Sequence, residues 1–166
     1  MRGRGGRGGD APAAGAVSEN FAMNALEDLT NPAVERRYVE QRVDEWVDRL
    51  STLYDHVVDW LPAGWTATRT DTMPMQEELM RRLDVGPRRQ PVLTLLHDGS
   101  ARGRLEPRGL WIIGANGRVD LHSPGGHYLI VDRSEAFDPP DWQIASILTR
   151  REQRSFDRES LRDALA

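Results

Sequence analysis

The sequence predicts an α+β domain: a long N-terminal helix packed on a five-stranded antiparallel meander, with a second short helix and a short C-terminal helix. Three observations predict it. Apolar residues from Val39 to Leu61 recur at spacings of three and four, the period of one helix face. From Val92 to Asp132, short apolar-rich runs alternate with the turn sequences Asp98-Gly99, Glu106-Pro107-Arg108-Gly109, Asn116-Gly117 and Ser123-Pro124-Gly125-Gly126. Near the C-terminus, Asp157 precedes a short helical pattern, with Phe156 placed to staple onto Leu161.

The elements follow in order. Residues 1–22 are rich in Gly, Ala and Arg and cannot bury a core, so a disordered arm is expected there. Its Arg-Gly-Gly repeats, carried by Arg2, Arg4 and Arg7, resemble RNA-binding RGG tails. Met23 is an alternative start, which would leave the arm upstream of the gene product. One domain is expected over 23–166.

Asn31 can cap the long helix, and Pro32 suits its first turn. Val39, Val43, Trp46, Leu50, Leu53, Tyr54, Val57 and Leu61 form its apolar stripe, and Pro62 with Gly64 ends it. A strand over 65–69 is expected next. Thr72 is then read as the cap of a second helix over 75–84. There Glu77 and Glu78 stand four residues before Arg81 and Arg82, the favourable order for helix ion pairs. The segment 86–91, GPRRQP, reads as a linker. The meander has strands at 92–97, 101–105, 110–115, 118–122 and 127–132. After Asp132 the chain reads as irregular around Pro139-Pro140, with Trp142 as an anchor.

Turn lengths set the register of the sheet, and register assigns its faces. One face collects Val92, Thr94, Leu96, Ala101, Gly103, Leu105, Leu110, Ile112, Gly114, Val119, Leu121, Tyr128 and Ile130, and should lie on the long helix. The other is mixed. Its rows read Leu93, Arg104, Trp111, His122, His127; then Leu95, Arg102, Ile113, Asp120, Leu129; then His97, Ser100, Ala115, Arg118, Val131. Three of the four histidines share that face with three arginines, an aspartate and apolar residues. This is neither a plain core face nor a plain solvent face.

Composition limits the chemistry. All 22 basic residues are arginine, and there is no cysteine. Without lysine there is no Schiff-base anchor and no Walker-type phosphate loop. Without cysteine there is no disulfide, thiol nucleophile or cysteine-ligated cluster. There is no G-x-S-x-G nucleophile elbow either. All-arginine usage is what GC-rich codon choice produces. It points to a bacterial source and weakens any argument from arginine enrichment alone.

No apolar run approaches 18 residues, and the N-terminus lacks the apolar segment of a secretory signal, so a cytoplasmic protein with no membrane contact is expected. Residues 23–83 hold seven arginines against twelve acids, whereas residues 88–118 hold six against two. An acidic front and a locally basic middle describe a two-sided molecule, not a general polyanion binder.

The mixed face is therefore the candidate site, comprising Arg102, Arg104, Trp111, Arg118, Asp120, His122 and His127. Three chemistries could use it. A protein interface with Trp and Arg anchors makes the chain a non-enzymatic accessory or inhibitory protein with a protein partner and no cofactor. Asp120, His122 and His127 offer two imidazoles and a carboxylate to a metal, the basis of a hydrolase or nuclease. Arg102, Arg104 and Arg118, with Trp111 for stacking, are suited to nucleic acid, with the arm assisting.

Overall fold

The computed structural model describes residues 31–166; the arm at 1–22 and the alternative start at Met23 lie outside the described residues. Residues Arg36–Ala166 form one compact unit. The class is α+β, with nine short strands and three helices among the described residues.

Helix α1 spans Pro32–Trp60. Asn31 caps it as expected, its Oδ1 accepting from the Ala33 amide at 3.0 Å. The apolar stripe is the buried face: Val39, Val43, Trp46, Leu50, Leu53, Tyr54 and Val57 are each at most 3% exposed. Burying a large apolar side chain contributes roughly 1.5–3 kcal/mol, so this face anchors the helix.

Strand β1 (Trp65–Thr68) follows the turn at Gly64. Thr72 does not cap a helix. It opens strand β2 (Thr72–Met75), which pairs with β3 (Arg88–Pro91) in a separate two-stranded ribbon. Pro74 explains this, because a residue preceding proline is driven out of the α region. The segment read as a linker is thus largely a strand. The second helix, α2, is confined to Glu78–Arg82.

The main sheet is antiparallel throughout and has seven strands in the order β1-β4-β5-β6-β7-β8-β9. Its new members are β4 (Leu93–His97), β5 (Ser100–Gly109), β6 (Arg118–Ser123), β7 (Gly126–Asp132), β8 (Trp142–Ser146) and β9 (Arg154–Ser155). The turn Asp98-Gly99 joins β4 to β5 as expected, with both residues at positive φ. The region after Asp132 is not simply irregular, since it contributes β8 and β9. Trp142 does pack against the core, its ring 6.3 Å from that of Trp46.

Two features alter the expected faces. Leu96 pairs with Ala101, but Leu95 pairs with Gly103, so Arg102 is the extra residue of a β-bulge. Beyond it every β4 side chain changes sides. Leu93 and Leu95 enter the core, fully buried, while Thr94 and Leu96 are only partly buried and Ala101 is exposed. The second feature is the missing third strand. β5 continues through the expected turn at 106–109 and pairs directly with β6, and 110–117 is a loop. Leu110 is buried, but Ile113 and Gly114 are exposed, and Ile112 makes only an isolated bridge to Ala115.

The cause lies outside the meander. The Glu77 carboxylate accepts from the amides of Leu110 at 2.6 Å and Trp111 at 3.1 Å, replacing strand partners. Glu77 therefore holds a loop. The expected pair with Arg81 is absent, and Arg81 donates instead to the Gln76 carbonyl.

Asn116-Gly117 is not a hairpin turn. Asn116 is buried and accepts from Arg42 Nη2 at 2.5 Å, and Gly117 packs beneath Trp46. Beside them Arg49, on the buried stripe of α1, pairs with the fully buried Asp132 and donates to the Asn116 carbonyl at 2.7 Å. Asp132 also accepts from the amides of Ser134 and Asp141, each at 2.9 Å.

Helix α3 (Arg158–Leu165) closes the described chain. Asp157 caps it, in a reciprocal box with Ser160. Phe156 and Leu161 are both buried in the core. All three helices contribute to one core, with Leu93, Leu95, Leu105, Leu121 and Ile130 of the sheet. Among the described residues no helix is long and apolar enough to cross a membrane.

Candidate functional site

The face of the sheet turned away from that core carries the candidate residues. Register gives one row across it as Thr68, Thr94, Arg104, His122 and His127. The next is Glu106, Asp120, Leu129 and Ala145. Arg104 and His122 are thus direct neighbours, where the sequence reading set Trp111 between them. Trp111 lies in the 110–117 loop, partly buried against the core, and takes no place on this face. Leu93, Leu95, Ile113 and Ala115 leave the face for the reasons given above. His97 leaves the cluster too, its ring lying 4.9 Å from that of Trp65.

Asp120 is the centre of what remains. It is 2% exposed although it stands on the outer face. Arg118 covers it with a two-pronged grip, Nε to Oδ1 at 2.7 Å and Nη2 to Oδ2 at 3.0 Å. His127 Nε2 lies 2.8 Å from Oδ2, and Arg108 Nε stands 3.8 Å away. Burial raises the Asp120 pKa, but the hydrogen bonds from Arg118 and His127, reinforced by their charges, outweigh it and hold the carboxyl below its usual value. The group is an anion surrounded by donors.

The two histidines meet across the β6–β7 hairpin, ring centroids 4.2 Å apart and planes 28° from parallel. His127 is oriented by Asp120. His122 is exposed and has no side-chain hydrogen bond among the described residues. Arg104 is held by Glu106 at 2.5 Å and Asp71 at 3.3 Å. Arg102, the bulge residue, lines an open depression of about 550 Å³ with Thr94, Gly103, Arg104 and His122. Gly103 leaves little room for a side chain, since a Cβ there would stand 3.2 Å from the His122 carbonyl and 3.3 Å from the buried Leu95 side chain.

The structure therefore brings together Arg102, Arg104 and His122 at one end, and Arg118, Asp120 and His127 at the other. The stacked imidazoles join the two groups. Comparison with protein-family models, curated proteins and solved structures finds no match to this chain.

Asp120, His122 and His127 can each turn one ligand atom to within 4.8 Å of the others, the spacing a metal ion needs. Two features oppose a cation there. Arg118 already occupies both carboxylate oxygens, and Arg108 adds a second positive charge. With Asp120 neutralised internally, the groups left to contact a partner are the guanidinium of Arg102, the imidazole of His122 and the remaining donors of Arg104.

Sequence reasoning missed the buried polar residues Arg42, Arg49, Asn116 and Asp132. A signal did exist. Arg42 and Arg49 fall at stripe positions of α1, three residues after Val39 and after Trp46.

Proposed function

We propose that this chain is a non-enzymatic binding protein, an accessory or inhibitory subunit that engages another macromolecule through the outer face of its sheet. One observation carries the reading. The face gathers the donors Arg102, Arg104 and His122 around an open depression, while its one buried carboxylate is consumed by Arg118 and His127. Arg104 is held by Glu106 and Asp71, but Arg102 and His122 have no acid partner among the described residues, and these free donors favour an acidic protein surface. With Trp111 and four other apolar residues gone from the face, recognition rests on charge and hydrogen bonds, not on an aromatic anchor.

The test is partner capture from the native host by the wild type and by an Arg102→Ala/Arg104→Ala/His122→Ala variant. One stoichiometric protein captured by the wild type and lost by the variant, at unchanged melting temperature, supports the reading. Equal capture by both removes it. Binding to nucleic acid that weakens steeply with salt would replace the protein partner with a polyanion.

A metal-dependent hydrolase or nuclease is the second reading, favoured by the spacing of Asp120, His122 and His127. Zn²⁺ or Mn²⁺ titrated into the full chain should then bind at one equivalent and be lost in His122→Ala/His127→Ala. Heat signals unchanged by those substitutions exclude it.

A further inference from the structure

Arg42 lies on the helix side of the sheet, away from the face just described, and is 8% exposed. A guanidinium carries five N–H donors. Nη1 donates to the Tyr38 hydroxyl at 3.2 Å and Nη2 to Asn116 Oδ1 at 2.5 Å, both neutral acceptors. Nε is shut off from solvent with no acceptor. Among the described residues no carboxylate comes within 4.0 Å of this guanidinium. Arg49, on the same stripe, takes both Glu45 and Asp132. Burying a cation without a counter-charge is costly.

This cation lines a cavity. A space of about 620 Å³ between α1, the 110–117 loop and the 133–136 turn is lined by Tyr38, Arg42, Trp111, Ile113, Asn116 and Ser134 among others. That size suits a small molecule. Apolar groups stand in water around it: Ile113 is fully exposed, and Tyr38 and Phe137 are nearly half exposed. Phe137 has φ +65°, a costly conformation for a bulky side chain. In that conformation its ring lies 5.9 Å from the Arg42 guanidinium carbon and 6.0 Å, edge-on, from the Tyr38 ring.

We infer that this cavity binds a small monocarboxylate with an aromatic or branched apolar body. The carboxylate would accept from the second N–H of Arg42 Nη1 and of Nη2, each of which donates only once within the described residues, and the body would lie against Trp111 and Ile113. The charges around it favour a single negative charge. The other arginine on the lining, Arg133, is already engaged with the Gly114 carbonyl and Gln153, and Glu135 is a further lining residue. A phosphate dianion would meet one uncommitted cation and one acid.

Calorimetric titration of the full chain with phenylacetate, its neutral analogue phenylacetamide, and inorganic phosphate tests this. Phenylacetate should bind at one site, the amide at least tenfold more weakly, and phosphate more weakly still. Arg42→Gln should abolish phenylacetate binding. Because Arg42 is part of a buried network, a second variant at an exposed position, Ile113→Asp, should weaken phenylacetate at least tenfold with an unchanged melting temperature. No phenylacetate binding, equal binding of acid and amide, phosphate binding as tight as phenylacetate, or Ile113→Asp without effect would overturn the inference.

Discussion

Gly117 lies directly beneath the indole of Trp46: a Cβ on it would fall 2.2 Å from Trp46 Cζ3. Its φ is +122°, a conformation that side chains rarely adopt. Gly117→Ala should therefore suffer twice, from overpacking and from backbone strain. The expected loss is about 3 kcal/mol or more, at the upper end for overpacked cores. Chemical denaturation measures it, and a loss below about 1 kcal/mol would show that the indole moves aside freely.

The Arg49–Asp132 pair should behave as a buried ion pair with a heavy penalty for breaking. Asp132→Ala leaves Arg49 with Glu45 as its remaining counter-charge and two amides without their acceptor, so a loss of about 3 kcal/mol, the low end for a broken buried pair, is expected. In a double-mutant cycle with Arg49→Met, the second substitution should cost much less once the first is present. Additive losses in urea denaturation would mean that the pair is energetically uncoupled.

Asp120 sets an acid-side limit on stability. Its folded pKa is depressed, so its contribution is full above the unfolded carboxylate value of about 4 and is lost as pH falls through the lower folded value. Asp120→Asn should lower stability at pH 7 by about 1.5–3 kcal/mol, the range for hydrogen bonds to a charged group. The gap between wild type and variant should hold from pH 7 to 5 and close below pH 4. A gap that widens with acid would mean that protonated Asp120 is the form that stabilises the fold.

Glu77 should control the 110–117 loop. Glu77→Ala leaves the amides of Leu110 and Trp111 without acceptors. A loss of about 1–3 kcal/mol is expected, with faster hydrogen exchange at those two amides. Unchanged exchange there would show that another group holds the loop.

The first and last helices and half of the sheet were legible because they follow from local chemistry. The α1 stripe, the Asn31 and Asp157 caps, the Asp98-Gly99 turn and the His122–His127 pairing each follow from a few neighbouring residues. The rest was decided at a distance. A carboxylate on another element removed the predicted third strand, so Trp111 never reached the face. One extra residue at Arg102 exchanged the sides of Leu93 and Thr94, since strand alternation turns a single insertion into an inverted face. Asn116-Gly117 had the composition of a hairpin turn but was spent on Arg42 and Trp46. Within the site, Asp120, His122 and His127 could be grouped from sequence because one hairpin holds them all. The grip of Arg118 on Asp120 could not, because it depends on the side chain folding back along its own strand.

The seven-stranded sheet is open, so its outermost strands present unpaired amides and carbonyls to any other chain. Those strands are short: β1 spans Trp65–Thr68 and β9 only Arg154–Ser155. Arg69 follows the first, paired with Asp55, and Arg154 lies within the second, paired with Asp163. Short, charge-flanked margins are poor templates for cross-molecule strand addition. Among the described residues, the fold can therefore leave one face of its sheet uncovered without inviting self-association along the sheet's own borders.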